Sequence, residues 1–179
     1  ALGLKAGDTI SVQDAILALA VKSANNVAVV VAEHISLTEP AFANKMTKKA
    51  HELGMKDTTF KNASGWFHKG HKTTAYDMAI LLKSLHQRFP QYYKYLGQKS
   101  FSFNGEKYTN KNKLLGTYPG LDGGKTGFVS KAGFCLAVSA VRPSGRVVAV
   151  VLGEPNKVVR MKHMQKLLDM AFNKIAKIS

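Results

Sequence analysis

The chain has 179 residues, enough to bury the core of one domain, and its 45% apolar and 9% aromatic content is ordinary for a soluble globular protein. No apolar run approaches the roughly eighteen residues that a membrane span needs. The first residues lack the basic start and apolar run of a signal peptide, so we expect any export signal to lie upstream of Ala1.

The formal net charge of +15 raises the question of an anionic partner. Nucleic acid is one candidate, and a polyanionic surface such as lipid headgroups or cell-wall polymer is another. The lysines are dispersed, however, and the sequence contains no zinc-finger or RNP-type motif. We therefore expect no specific nucleic-acid partner. An anionic surface stays open beside the simpler interpretation of a solvated basic face.

Helix signals dominate the first part of the chain. Ser11 and Asp14 have the spacing of a capping box and open an apolar-periodic stretch. Thr38 and Thr74 precede further periodic stretches and are typical helix caps. The predicted helices cover residues 12–21, 27–35, 39–53 and 75–88.

The remaining residues predict a sheet and a closing helix. Asn104-Gly105 lies between alternating residues and indicates a β-hairpin over 99–108. Two apolar strands follow over 134–141 and 146–152, and an amphipathic helix covers about 157–178. The order predicts one α+β domain over 1–179. Its mainly helical part, 1–98, precedes an antiparallel sheet and the last helix, 99–179.

One strand candidate has an unusual pattern. Residues 147–152 are apolar without alternation, which is typical of a strand buried on both faces in the middle of a sheet. Few other strand candidates are present to pair with it. In these 179 residues it would be an exposed edge, so we expect part of the sheet to lie outside them.

Two short motifs carry the candidate chemistry. Lys125-Thr126-Gly127 is a K-T-G triplet, and Ser23-Ala24-Asn25 is an S-x-N triplet between two predicted helices. These are two of the three motifs of penicillin-recognising serine enzymes, which use S-x-x-K, S-x-N and K-T-G. Alone, Ser23-Ala24-Asn25 also fits a simple helix break with a capping side chain. A second S-x-N, Ser102-Phe103-Asn104, leads into the hairpin turn and is interpreted as structural. No serine of the chain is followed by lysine three residues later.

Longer segments extend the resemblance over nearly the whole chain. They lie at 7–12, 19–28, 53–60, 70–77, 121–127 and 132–134. On these residues the chain resembles the low-molecular-mass penicillin-binding proteins, specifically the serine-type D-alanyl-D-alanine carboxypeptidases of bacterial envelopes. The resemblance implies a β-lactamase/transpeptidase-like fold, here without the N-terminal part of its sheet and the nucleophile helix. It also implies peptidoglycan stem peptides ending in D-Ala-D-Ala and β-lactam antibiotics as ligands, a periplasmic or extracytoplasmic location, and no cofactor.

The resemblance further implies roles for the motif residues. Such enzymes acylate a serine with the penultimate D-Ala carbonyl and expel the terminal D-Ala. Ser23 would relay a proton to the departing amine. Asn25 would orient the substrate amide or the lysine of the S-x-x-K motif. Lys125 would supply charge, and Thr126 a directional hydrogen bond, to the substrate carboxylate.

Flanking residues match the family less evenly. Gly127 would let the peptide lie close to the strand, and the N–H near Phe128 would be one oxyanion donor. Phe128 stands where many members have histidine, which puts that histidine's role in doubt. Lys111 falls where an arginine often binds the carboxylate, and it lacks the bidentate geometry. His71 matches a family histidine near the cleft. With His68 it makes a poor metal site, because no third ligand is evident, so we expect no metal.

Two other functions stay open at this stage. A class A β-lactamase needs a Glu-x-x-x-Asn loop, but Glu39 to Asn44 is one residue too long and too close to Ser23. A non-catalytic envelope protein could keep the fold without the nucleophile. The single cysteine, Cys135, is interpreted as a small buried hydrophobe. Because the nucleophile motif is missing, we expect these 179 residues alone neither to hydrolyse D-Ala-D-Ala nor to react with penicillin.

Overall fold

The computed structural model describes residues 1–178. The helices are α1 (Val12–Leu17), α2 (Asn25–Ser36), α3 (Glu39–Glu52), α4 (Ala75–Arg88), α5 (Pro90–Tyr93) and α6 (Lys157–Ala176). The strands are β1 (Ser100–Phe103), β2 (Glu106–Thr109), β3 (Leu121–Val129), β4 (Gly133–Arg142) and β5 (Gly145–Glu154). A π-helical turn, Ala18–Lys22, follows α1, and a 3₁₀ turn, Lys94–Gly97, follows α5.

The predicted helix starts are confirmed by their caps. Ser11 Oγ accepts a hydrogen bond from the Asp14 N–H at 3.0 Å, and Thr74 Oγ1 accepts one from the Asp77 N–H at 3.1 Å. Thr38 caps α3 in the same way. These bonds satisfy N–H groups that have no partner inside the helix. The first helix differs from the prediction because its last turn widens into the π-helical turn instead of continuing as an α-helix.

The strands form two antiparallel sheets. β1 and β2 make the predicted hairpin, with Phe101 opposite Tyr108 and their rings stacked. The larger sheet has the order β3-β4-β5. Its first strand contains the whole K-T-G motif, whereas the sequence pattern placed the motif ahead of the strands. The pattern missed β3 because three of its nine residues are glycines, which have low strand propensity.

Three apolar clusters hold these elements together. The largest lies between the sheet and α6 and includes Leu136, Val138, Met164, Leu168 and Phe172. A second packs the hairpin against α1 and the following turn, and a third packs α4 and α5 against the other sheet face. The sheet is therefore covered on both faces, which places β3 between the helical part and α6.

The apolar strand β5 shows why its sequence does not alternate. Val147 and Ala149 are buried in the cluster beneath α6, whereas Val148 and Val150 pack toward α4. Among the described strands β5 pairs only with β4, so it lies at an edge of this sheet, not in the middle. The two-sided packing predicted from the sequence is confirmed, while the second strand neighbour is not found within residues 1–178.

Candidate functional site

The two short motifs meet in the folded chain. Lys125 Nζ donates a hydrogen bond to Ser23 Oγ, across 102 residues of sequence. The same ammonium donates to the Thr126 carbonyl oxygen at 2.7 Å. A hydroxyl and an amine in direct contact can exchange a proton, which is the physical requirement for a relay.

Ser23 owes its position to an irregular backbone. The π-helical turn Ala18–Lys22 ends at Ser23, which has the left-handed conformation φ 60°, ψ 49°. The chain then reverses into α2, with the Ala24 N–H bonded to the Ala18 carbonyl at 3.2 Å. A left-handed serine costs about 1 kcal/mol or more, and such strain persists where the surrounding structure fixes it. Strained residues of this kind cluster at functional sites.

β3 offers an open strand beside Lys125. It pairs with β4 on one side, with Lys125 opposite Ala137 and Gly127 opposite Cys135, and no described strand pairs with its other side. Gly127 and Phe128 are exposed, whereas Thr126 is buried. An exposed strand edge can take an extended peptide as an additional strand.

The electrostatics of Lys125 are strongly perturbed. Its pKa is lowered from 10.5 to about 8, mainly by burial and also by the neighbouring cations Lys111 and Arg160. No carboxylate contributes to this shift. The result is a lysine that changes protonation state close to neutral pH and a local excess of positive charge that favours an anion.

Two other predicted site residues, Lys111 and Asn25, make no hydrogen bond to this pair in the described residues. Lys111 is exposed between two buried asparagines, and its segment is fixed because the Asn110 side chain binds Gln98 O at 3.0 Å and the Asn112 N–H at 2.9 Å. Asn25 is exposed in the first turn of α2, two residues after Ser23. These residues therefore lie close to the Ser23–Lys125 contact in sequence or in electrostatic range.

His71 lies in a different environment. It belongs to the loop between α3 and α4, where its ring makes an edge contact with Phe60 and its Nδ1 accepts from the Lys61 N–H. Burial, and then the neighbouring His68, lower its pKa. Within residues 1–178, no hydrogen bond, ion pair or ring contact joins His71 to Ser23 or Lys125.

Sequence reasoning missed one residue of this site, Arg160. Its side chain is 4% exposed on α6, its Nη1 donates to the Cys135 carbonyl, and its Nε has no partner in the described structure. The signal was present in the helix pattern. Met164, Leu168 and Phe172 are buried at intervals of four residues on α6. The next position in this series toward the N-terminus is 160, where an apolar residue is expected.

The assembled groups define what the site can do. A serine hydroxyl in contact with a lysine of lowered pKa can pass a proton, and the positive charge around Lys125 favours a carboxylate. The open edge of β3 can align an extended peptide with both. Such a site suits a peptide that ends in a carboxylate.

Comparison with known proteins places the chain in a family. The family model described as D-alanyl-D-alanine carboxypeptidase matches residues 1–156. The chain is 39% identical over 175 residues to the D-alanyl-D-alanine carboxypeptidase DacF of Bacillus subtilis, covering 95% of this chain and 45% of that protein. The chain therefore belongs to the D-alanyl-D-alanine carboxypeptidase family, whose members are serine-type peptidases.

Solved structures confirm the α+β fold. Penicillin binding protein 5 from Haemophilus influenzae superposes with a TM-score of 0.90 at 35% identity, covering 95% of this chain and 50% of that one. Penicillin-binding protein D2 from Listeria monocytogenes, in its cefotaxime-bound form, gives 0.83 at 33% identity, covering 91% and 67%. The chain spans less than half the length of the curated relative and half of the first of these structures.

Proposed function

We propose that these residues form the substrate-carboxylate side of a serine-type carboxypeptidase that removes the terminal D-alanine from peptidoglycan stem peptides. The observation that supports the proposal is the contact between Ser23 and Lys125 in a cationic site beside an open strand. Family membership suggests the reaction, and the contact between Ser23 and Lys125 supports assigning it to this site.

The proposed chemistry proceeds through an acyl-enzyme. A serine of an S-x-x-K motif attacks the penultimate D-Ala carbonyl, the peptide C–N bond breaks, and an ester forms. The departing D-alanine amine takes a proton that Ser23 passes on, while Lys125 holds the Ser23 hydroxyl in place. Water then hydrolyses the ester and regenerates the serine.

We propose separate roles for the residues that contact the substrate. Lys125 and Thr126, assisted by Lys111, receive the terminal carboxylate, and Asn25 orients the peptide amide. Gly127 leaves room for the peptide backbone, and the N–H near Phe128 stabilises the oxyanion. His71 is proposed to border the cleft.

β-Lactams are proposed as ligands of the same site. The Listeria relative holds cefotaxime. A β-lactam presents a carboxylate and a strained amide in the positions that a D-Ala-D-Ala end would occupy, so the cations beside Ser23 suit both ligands.

We propose an envelope location, either periplasmic or extracytoplasmic, because the family acts on the cell wall. An anionic envelope surface is a further proposed partner, supported by the net charge of +15. Within residues 1–178, no helix is both long and apolar enough to cross a bilayer.

The experiment that tests the proposal compares two proteins. The first is the 179 residues alone, and the second is an extended protein in which a segment with an S-x-x-K serine precedes the same 179 residues. We expect fluorescent penicillin to label the second protein and not the first, and D-alanine release from a D-Ala-D-Ala peptide to follow the same pattern. Labelling of the first protein at Ser23, located by mass spectrometry, would contradict the proposal.

Lysine 125 supplies a second arm of the same test. In the extended protein, Lys125→Ala should slow D-alanine release by about 100-fold or more, because it removes both the carboxylate receptor and the partner of Ser23. Lys131→Ala, an exposed lysine in the turn after β3, is the matched control and should leave the rate unchanged. Equal rates for the two variants would contradict the proposed role of Lys125, and no D-alanine release from the unsubstituted extended protein would argue for a non-catalytic envelope protein.

A further inference from the structure

β3 contains an irregularity just before the K-T-G motif. Leu121 lies opposite Ala140, and Gly123 lies opposite Ser139, so Asp122 is an extra residue with no partner of its own on β4. This is a β-bulge, which shifts the pairing of every later residue by one position. Because side chains alternate between the two faces of a sheet, the shift also decides which face each later residue occupies.

The bulge decides the orientation of Lys125. With it, Lys125 lies opposite Ala137, whose side chain is on the face that packs against α4 and α5. Without the extra residue, continuing the pairing from Leu121 and Ala140 would place Lys125 opposite Leu136. Leu136 is on the other face, in the apolar cluster beneath α6. Lys125 would then point away from Ser23.

Four polar side chains surround the bulge, and we call Tyr93, Asp122, Ser139 and Arg146 the bulge cluster. Ser139 Oγ donates to one carboxylate oxygen of Asp122 at 2.5 Å, and Arg146 Nη1 donates to the other at 2.6 Å. Arg146 Nη1 also donates to Ser139 Oγ at 2.7 Å. The Tyr93 hydroxyl lies 2.7 Å from Ser139 Oγ. The cluster therefore links β3, β4, β5 and α5 at the bulged residue.

The hydrogen-bond donors and acceptors of this cluster are largely fixed. Ser139 is 1% exposed and Tyr93 is 4% exposed. Burial raises the pKa of Tyr93 to about 12, so the phenol keeps its proton at neutral pH and can donate to Ser139. Asp122 accepts from both of its neighbours, and no other residue of the cluster can replace its carboxylate.

Close backbone packing supports the same point. A side chain at Gly97 would collide with the Asp122 carbonyl oxygen, and one at Gly123 would lie 2.8 Å from the Tyr93 hydroxyl oxygen. The turn after α5 and the tyrosine ring thus rest directly on the backbone of the bulge. Asp122 and Arg146 are partly exposed, with side-chain exposures of 30% and 26%, and ion pairs of this exposure contribute little to overall stability.

We propose that the bulge cluster holds the one-residue shift of β3 and thereby keeps Lys125 turned toward Ser23. Its four members are positioning residues, since they act through Lys125 and not on a ligand. The inference rests on the proposed function only in giving the orientation of Lys125 a role in catalysis. The orientation itself can be measured without any D-alanine release.

The test uses the 179-residue chain and two NMR measurements. Cross-strand contacts between Lys125 and Ala137 report the register of β3 and β4, and the titration of the Lys125 side chain reports its surroundings. The variants are Ser139→Ala, Asp122→Asn and Tyr93→Phe. Thr58→Val is the matched control, because it also removes a buried hydroxyl, which donates to the Asp77 carboxylate at 2.6 Å and belongs to no hydrogen bond of the bulge cluster.

We expect the contacts between Lys125 and Ala137 to be replaced by contacts between Lys125 and Leu136 in the cluster variants, and the pKa of Lys125 to move away from about 8 because its surroundings change. The charge of Asp122 is not among the causes of the Lys125 shift, so a changed pKa of Lys125 in Asp122→Asn reports new surroundings and not the missing carboxylate. The control should change neither measurement.

Arg146 provides a rescue. Arg146→Lys keeps a cation beside Asp122, so it should change the pKa of Lys125 less than Arg146→Gln does. If Asp122→Asn does not fold, Tyr93→Phe and Ser139→Ala decide the question, since the first removes one hydrogen bond of the cluster and the second removes three. Folded variants that keep the register and a Lys125 pKa of about 8 would overturn the inference. Loss of register without loss of D-alanine release in the extended protein would count against the proposed function instead.

Discussion

Ser23 combines a strained backbone with a hydroxyl that Lys125 holds. Its left-handed φ of 60° suits glycine and disfavours any residue with a Cβ. Ser23→Gly and Ser23→Ala both remove the hydroxyl, but only glycine removes the strain. We expect Ser23→Gly to be more stable than Ser23→Ala by about 1 kcal/mol, measured by urea denaturation. Equal stabilities would mean that the left-handed conformation carries no strain in solution.

Lys125 should make stability depend on pH in an unusual window. Its folded pKa is about 8, while the unfolded chain keeps the ordinary value of 10.5. Between pH 8 and pH 10.5 the unfolded chain binds more protons than the folded chain, so the free energy of unfolding rises with pH. Below pH 8 the folded protein carries the full cost of burying the charged lysine. We expect Lys125→Met to stabilise the protein at pH 7, by on the order of 2 kcal/mol, and to flatten the rise.

Thermal melts between pH 7 and pH 10.5 check this expectation. Lys131→Met is the control, because Lys131 is exposed and should change neither the melting temperature at neutral pH nor its dependence on pH. A melting temperature that falls for Lys125→Met at pH 7 would show that the bond to Ser23 outweighs the cost of burial.

The sequence identified the central pair of the site but not its surroundings. Ser23 and Lys125 were found because they belong to motifs, and the structure brings them into contact. Arg160 and Asp122 act through charge and register, which depend on packing between α6, β3 and β4. A single sequence shows neither the partner of a strand nor the extra residue in a bulge, so these roles are evident only in the folded structure.

At the scale of elements, the glycines of β3 have unequal importance. A Cβ at Gly124 would lie 2.5 Å from the Ala137 carbonyl oxygen and 2.8 Å from the Val138 side chain, whereas one at Gly127 would meet only Cys135 at 3.7 Å. Gly124→Ala should therefore separate β3 from β4 and lower stability by about 1–3 kcal/mol. Gly127→Ala should leave the melting temperature nearly unchanged.

The same pair of variants separates packing from ligand binding. In the extended protein, Gly127→Ala should slow acylation by penicillin, because its methyl group projects where the proposed ligand lies, while Gly124→Ala should act mainly through stability. A Gly127→Ala protein that is acylated at the wild-type rate would show that ligands do not approach this part of β3.

Most elements were predictable, and the exceptions have physical causes. The capped helices α3 and α4 and the Asn104-Gly105 hairpin follow from local chemistry, which the sequence displays directly. β3 was missed because close approach to β4 requires glycine, a residue that suppresses the strand signal. The π-helical turn Ala18–Lys22 was missed because its residues are ordinary helix formers.

At the scale of the whole molecule, the positive charge should govern surface binding. With a net charge of +15, we expect the protein to bind vesicles rich in phosphatidylglycerol and not neutral phosphatidylcholine vesicles. The screening length falls from about 10 Å at 0.1 M salt to about 3 Å at 1 M, so binding should weaken by about tenfold or more over that range. Co-sedimentation measures both comparisons, and salt-independent binding would exclude an electrostatic origin.

The π-helical turn before Ser23 and the bulge before Lys125 share one property, which is that each adds a single residue to a regular element. Removing one residue from Ala18–Lys22 would rotate Ser23 by about 100° around its helix, and removing Asp122 would carry Lys125 to the opposite sheet face. Deleting Lys22 or Asp122 removes no member of an apolar cluster, whereas Ala18, Ala20 and Val21 are buried in the cluster that packs the hairpin. The site should therefore be lost by deletion of Lys22 or Asp122, which the fold itself should survive.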